Sequence, residues 1–355
     1  MPKVSIGLPC FNEAPFIEET VRSILAQTEE DFELIICDNA SDDGTLDIIK
    51  KTTEGDSRVG IHSSAVNIGG PGNFVRALDL ASSPLFMWMG AHDVIAKDYV
   101  KKLRLVLDAD PCCSLAYADS IFIAKDGSDI PGEQIETGLE LSDDSVTDRF
   151  KTVVWNLHRC DLFHGMMRRA WVDCGHLTSS RTPDMVLLAD LALRGKFRRV
   201  PELMFFRRRN REAEDAETWQ KRLAEQGYVK PAQSVVDSWR GSRDAHDALL
   251  AAANVSPGER HEMHLALCQA FMERHCVPWD PSLEEATIWD RLQMRFAGED
   301  GRNLIRERIL QRVAARARMD GSHARARMER ELVSLLKENH RLRKELARVK
   351  LKAGK

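Results

Sequence analysis

Carboxylates and amides gather in two short turns near the start of the chain. Asn12-Glu13 follows the apolar run Val4–Leu8, and Asp38 with Asp42-Asp43 follows the apolar run Phe32–Cys37. An ionised carboxylate only accepts hydrogen bonds, so Asp38, at the end of a strand, is suited to an imide N–H such as N3–H of uracil. Asp42 and Asp43 precede a helix-like segment, where capping the helix start is the simpler use. Dinucleotide and P-loop chemistry lack support, because no GxGxxG follows a strand and no GxxxxGK run occurs. His261-Glu262-Met263-His264 does not have the HExxH spacing that sets two imidazoles on one helix face, so it is not read as a zinc site. The eight cysteines form no CxxC pair and are read as reduced, mostly buried thiols, the adjacent Cys112 and Cys113 among them.

The elements that must position these turns alternate in the first 125 residues. Val4–Leu8, Phe32–Cys37, Val59–His62, Leu85–Met89 and Ser114–Tyr117 read as strands. Phe16–Gln27, Thr45–Lys51, Phe74–Ala81 and Asp98–Leu107 have helical spacing of apolar residues. Repeated β-α-β units with continuous apolar strands predict a mostly parallel sheet covered on both faces. Ligands of such sheets sit at the carboxyl ends of strands, where the polar turns lie. From 126 to 212 the pattern is mixed, with a helix predicted at Met185–Arg194 leading into a strand at Phe197–Phe206. From 213 to 300 it reads as amphipathic helices with turns at Ser256-Pro257-Gly258 and around Pro278–Pro281.

The chain has 355 residues, 43% hydrophobic and 30% charged, the profile of a globular protein. Its net charge of −4 conceals an asymmetry: Arg302–Lys355 carries +11 and the first 301 residues carry −15. A basic tail on an acidic body points to a contact for the tail that the body does not share. No apolar run is long enough to span a membrane, and MPKVSIGLPC has no leader pattern, so the expected location is cytoplasmic.

Val4–Thr45, Asn67–Ala81 and Phe86–Leu103, with Tyr117-Ala118-Asp119, resemble the ordered motifs of family-2 glycosyltransferases. The later blocks FHGMMRRAW and PDMVLLADLALRGKFRRVPELMFFRRR resemble the acceptor side of the same domain. The resemblance covers roughly residues 3–210. It implies a GT-A, Rossmann-like α/β fold over 1–212 that moves a sugar from a nucleotide-diphosphate sugar, UDP-sugar favoured, to a glycan, lipid-linked or protein acceptor with inversion. It further implies that Pro9, Asn12, Glu13, Asp38, Asn67 and Asn73 bind the nucleotide and that Asp184 is the general base, with Asp190 the weaker candidate. The Arg207–Arg209 cluster would meet diphosphate or an anionic acceptor, or serve only as a solvated basic face. The family's Asp-x-Asp run at the fourth strand is replaced here by Gly90-Ala91-His92-Asp93. His92 and Asp93 would then hold a divalent metal, tilted towards Mn²⁺ over Mg²⁺ by the imidazole. Transfer without metal and a body that has lost catalysis are the other two readings, the last making the chain a glycosyltransferase-like scaffold.

Beyond that body, a helical region is expected at 213–300 and a basic helix at 301–355. Met328, Leu332, Leu335, Asn339, Leu342, Leu346 and Val349 are spaced 4-3-4-3-4-3. Leu332, Asn339 and Leu346 fall at a, and a lone a-position Asn favours two strands in register. Glu338 and Glu345 at g match Arg343 and Lys350 at the following e positions, the pattern of a parallel homodimer over 328–349. The basic residues either solvate this coiled coil or hold it peripherally at an anionic inner membrane face. The tail lacks the interleaved aromatics of a single-strand binder, so nucleic acid is not an expected partner. Deleting residues 325–355 should therefore convert a dimer into a monomer by light scattering; a monomer mass for the full chain would refute the dimer.

Overall fold

The computed structural model describes residues 2–156, 161–179, 183–210 and 235–275. The expected coiled coil at 328–349 lies outside them, as does much of the 213–300 region. The chain divides into two units, Met1–Pro231 and Ala232–Lys355.

Among the described residues of the first unit, eight strands form one sheet: β1 (Val4–Cys10), β2 (Phe32–Asp38), β3 (Val59–Ser63), β4 (Leu85–Trp88), β5 (Val94–Ile95), β6 (Cys113–Ile123), β7 (Met166–Arg168) and β8 (Lys196–Arg208). Their order is β3-β2-β1-β4-β7-β6-β8-β5. The helices are α1 (Ile17–Leu25), α2 (Thr45–Thr52), α3 (Gly70–Asp79), α4 (Tyr99–Ala109), α5 (Val146–Asn156), α6 (Gly175–Ser179) and α7 (Pro183–Arg194). The first four sheet positions are parallel, as the apolar strands predict. The sheet is mostly parallel, as expected, with β6 also parallel to β8, and two strands depart from that direction. β7 runs antiparallel to both β4 and β6, and β5 runs antiparallel to β8.

Period-2 alternation divides β1 between two faces. Val4, Ile6 and Leu8 join a core with Ile17, Val21 and Ile24 of α1 and with Val100 and Leu103 of α4. Gly7 points the other way, towards α3, where a β-carbon would come within 2.9 Å of the Phe86 ring and 3.1 Å of Ala77. α3 begins at Gly70, earlier than the Phe74 expected. Gly69 at φ +82° turns the chain, and Pro71 then fits a first helical turn, where no amide donor is required.

The first strand, expected over Val4–Leu8, runs on through Pro9 to Cys10. The last pairing with β4 is Gly7↔Trp88, closed by the Met89 N–H on the Gly7 carbonyl at 2.8 Å. Pro9 directs its ring nitrogen to that same side, where β4 has already ended, so the missing N–H costs no ladder bond. On the other side β1 stays paired with β2 through Cys10↔Asp38.

In the second unit, helices Val235–Ala252 and Pro257–His275 are joined by a short turn. Ser256 and Glu259 form a reciprocal capping box: the Ser256 N–H donates to Glu259 at 2.8 Å and the Glu259 N–H to Ser256 Oγ at 3.3 Å. No described helix is long and apolar enough to cross a membrane.

Candidate active site

A cavity of about 330 Å³ opens at the carboxyl ends of β2, β1 and β4. Two loops form its near wall, and hydrogen bonds stitch them together. The Asn12 N–H donates to Ser41 Oγ at 3.0 Å and the Asp42 N–H to Asn12 Oδ1 at 3.0 Å. The Glu13 N–H reaches Thr45 Oγ1 at 2.8 Å, and the Ala14 N–H reaches Asp43 Oδ2 at 3.0 Å. Of the two carboxylates expected to cap α2, Asp43 meets its first amide, Thr45 N–H, at 3.0 Å. Gly44, at φ +93°, makes the turn between them.

Asp38 closes β2 and is 1% exposed. Its Oδ2 accepts Ser63 Oγ–H at 3.0 Å and Ser41 N–H at 3.4 Å, whereas Oδ1 has no protein donor. Asn73 of α3 donates Nδ2–H to the Cys37 carbonyl at 2.7 Å, and its Oδ1 likewise has no donor. Beside them, Asn39 links the β2 loop to the loop before α3. It donates to Asn67 Oδ1 at 2.8 Å and accepts Ile68 N–H at 2.8 Å. Cys10 also lines the wall. Burial first, and the neighbouring Asp38 carboxylate second, push its thiol far above the ordinary value, so it stays protonated and unreactive.

The turn after β4 forms the far wall. His92 Nδ1 lies 3.1 Å from Glu13 Oε1, and its Nε2 lies 4.0 Å from Asp93 Oδ1. Asp93 Oδ1 accepts the Arg208 N–H at 2.9 Å. The buried Arg208 side chain donates to the His92 carbonyl at 2.9 Å, to the Lys125 carbonyl at 3.0 Å and to Glu19, and it lies over the Phe16 ring. Next to this turn His164 also lines the cavity, its ring stacked on Phe205 at 5.3 Å.

The expected residues are thus partly assembled. Pro9, Glu13, Asn67, Asn73, His92 and Asp93 line the cavity. Asn12 and Asp38 stand behind the wall, in its hydrogen-bonded support. Asp184, at the start of α7, is not on the wall. Asp190 is buried and paired with His176 at 3.3 Å and Arg194 at 3.0 Å, which leaves it a structural role. The basic cluster divides: Arg207 and Arg208 both line the cavity, Arg207 lying over Phe122 and Arg208 clamping the β4 turn, whereas Arg209 pairs with Glu133. Asn39 and His164 were not singled out from the sequence. Asn39 adjoins Asp38 in the same polar turn, a usable signal, whereas His164 is brought in only by the placement of β7.

The model of the family described as "Glycosyl transferase family 2" matches residues 5–175. TuaG of Bacillus subtilis (strain 168), a glycosyltransferase assigned to teichuronic acid biosynthesis, is 30% identical over 127 residues, 36% of this chain and 50% of TuaG. The abequosyltransferase RfbV of Salmonella typhimurium is 31% identical over 109 residues, 30% of this chain and 33% of RfbV. The chain therefore spans half or less of these curated relatives. Among solved structures, S. aureus TarS 1–349 in complex with UDP-GlcNAc is similar with a TM-score of 0.60 at 16% identity, covering 96% of this chain and 92% of that one. At that identity the likeness is one of fold.

Arg208→Met removes donors from the His92 and Lys125 carbonyls and from Glu19 and should cost about 3 kcal/mol of stability in urea unfolding. Arg207→Met should stay within about 1 kcal/mol; equal losses would refute the clamp.

Proposed function

With residues 5–175 belonging to glycosyl transferase family 2, we propose that this cavity binds a nucleotide-diphosphate sugar and that the protein transfers the sugar to a hydroxyl acceptor on a glycan, lipid-linked or protein substrate. The observation that carries the reading is a polar cavity at the strand ends, lined by Asn39, Asn67 and Asn73, with Asp38 Oδ1, a buried acceptor with no protein donor, directly behind its wall at the end of β2. Its partner oxygen is already committed to Ser63 and Ser41. One remaining acceptor suits the single imide N–H of uracil better than the paired donors of guanine, which favours UDP. Asn73 Oδ1 offers a second acceptor, suited to a ribose hydroxyl. Gly70 brings the N-terminus of α3 to the cavity, and the positive end of a helix favours a diphosphate there.

The donor set at the β4 turn fits a divalent cation in part. Among the described residues no cluster of three or more ligating side chains is formed, but His92 and Asp93 lie together. Glu13 faces Nδ1 of His92, the usual way a carboxylate orients an imidazole whose Nε2 is to bind metal. Two protein donors completed by substrate phosphates is a common arrangement for such ions. A cation held there would neutralise charge on the leaving diphosphate.

In the transfer, the bond from the anomeric carbon to diphosphate oxygen breaks as the acceptor oxygen attacks from the opposite face, with inversion. Asp184 takes the acceptor's proton. The second reading, a non-catalytic glycosyltransferase-like scaffold, draws on the lost acidic run and on the Asp93 oxygen committed to Arg208. Dimerisation through 328–349 and peripheral membrane contact by the basic tail complete the proposal.

Asp38→Ala should weaken UDP binding about tenfold by calorimetry, in line with a lost charge-assisted hydrogen bond; unchanged affinity removes the base-reading role. Asp184→Asn should reduce transfer by about 10²–10⁴-fold while nucleotide binding persists. Full turnover by that variant rules Asp184 out as the base, and no turnover by the native protein with Mn²⁺, Mg²⁺ or EDTA supports the scaffold.

A further inference from the structure

His164 is held in a fixed orientation at the cavity wall. It sits immediately before β7, in a short 3-10 turn, with the Tyr99 hydroxyl donating to its carbonyl at 3.2 Å. Its ring is stacked on Phe205 with planes 16° apart and meets Phe163 edge-on at 5.5 Å. Nδ1 lies 3.2 Å from the Trp88 carbonyl. A carbonyl can only accept, so Nδ1 carries the proton and Nε2 of the neutral ring is an acceptor. Burial, the largest influence, holds His164 below the ordinary histidine value and favours that neutral ring. Among the described residues no donor to Nε2 is found, while the side chain lines the cavity.

The sheet order says what part of a ligand reaches it. Asp38 closes β2 and Asn39 follows it, Cys10 closes β1 and Glu13 lies just beyond it, His92-Asp93 follow β4, and His164 precedes β7. β2 and β7 are three strand spacings apart, about 14 Å. A donor with its base on β2 and its diphosphate over β1 and β4 has its sugar at β7.

We propose that His164 is a specificity-determining residue for the donor sugar, its Nε2 accepting a hydrogen bond from a sugar hydroxyl or acetamido N–H. This rests on the nucleotide-sugar reading above. A neutral imidazole acceptor rewards a donor group and gives nothing to a carboxylate, so a contact at C6 selects neutral hexoses over uronates. The Phe205 stack and the Trp88 carbonyl fix the ring in advance, so the bond carries little ordering cost.

The test is calorimetric titration of the full chain with UDP, UDP-glucose, UDP-N-acetylglucosamine and UDP-glucuronate. The native protein should bind at least one neutral UDP-hexose more tightly than UDP and than UDP-glucuronate. His164→Phe keeps an aromatic ring on Phe205 and should bind UDP as the native protein does, while losing about tenfold in affinity for that hexose, about 1.4 kcal/mol. His164→Asn, which restores an amide donor and acceptor in less volume, should recover part of the loss. Equal weakening towards UDP and UDP-hexose would mark His164 as structural, and unchanged hexose affinity in both variants would remove its role; either overturns the proposal while UDP binding stands. A native protein that binds neither UDP nor any UDP-sugar removes the UDP-donor reading, and the inference falls with it.

Discussion

The site depends on a single buried guanidinium. Arg208 arrives on the last long strand, far in sequence from everything it holds, and meets the β4 turn, the 125 turn, α1 and the Phe16 ring at once. Its own N–H fixes Asp93, and its side chain fixes the His92 carbonyl. A buried cation is tolerable only when its donors are met, and here carbonyls and one carboxylate meet them. The turn that faces the cavity is therefore set by the C-terminal half of the sheet, even though its residues belong to the N-terminal half.

A second set of bonds passes order between the loops. Asp43 and Thr45 receive the backbone of Glu13 and Ala14, and the Glu13 side chain then meets His92. Thr45 at the start of α2 thus bears on an imidazole at the end of β4 through one intervening residue. Asn39 does the same for the loop before α3, tying Asn67 and Ile68 to the end of β2. Each strand end is held by its neighbour's loop, which suits a polar cavity whose shape must persist in water.

Much of this was legible in the sequence because it is local. The apolar runs gave β1 to β4, and the helical spacing of Ile17, Val21 and Ile24 gave the buried stripe of α1. Asp38, Glu13, His92 and Asp93 follow strands closely enough to be placed at one edge by alternation alone. What escaped is long-range. β7 is three residues long, too short to announce itself, and its antiparallel insertion brings His164 to the cavity. The start of α3 escaped because Gly70 and Gly72 read as loop residues when the turn at Gly69 and the proline at the first helical turn are not yet known. Arg208 was grouped with Arg207 and Arg209 as one cluster for diphosphate, an anionic acceptor or solvent. Only the alternation of a strand, with one face towards a buried turn, separates it from its neighbours.

The oxygens of Asp38 and Asn73 that lack protein donors have a thermodynamic side. A buried acceptor without a partner costs about 1–3 kcal/mol, and the folded body carries two of them near one cavity. A molecule that supplies donors to both removes that penalty from the native state alone, since the unfolded chain satisfies the same oxygens with water. Such a molecule would link occupancy to folding: the body would resist heat and proteolysis better with the cavity filled than with it empty.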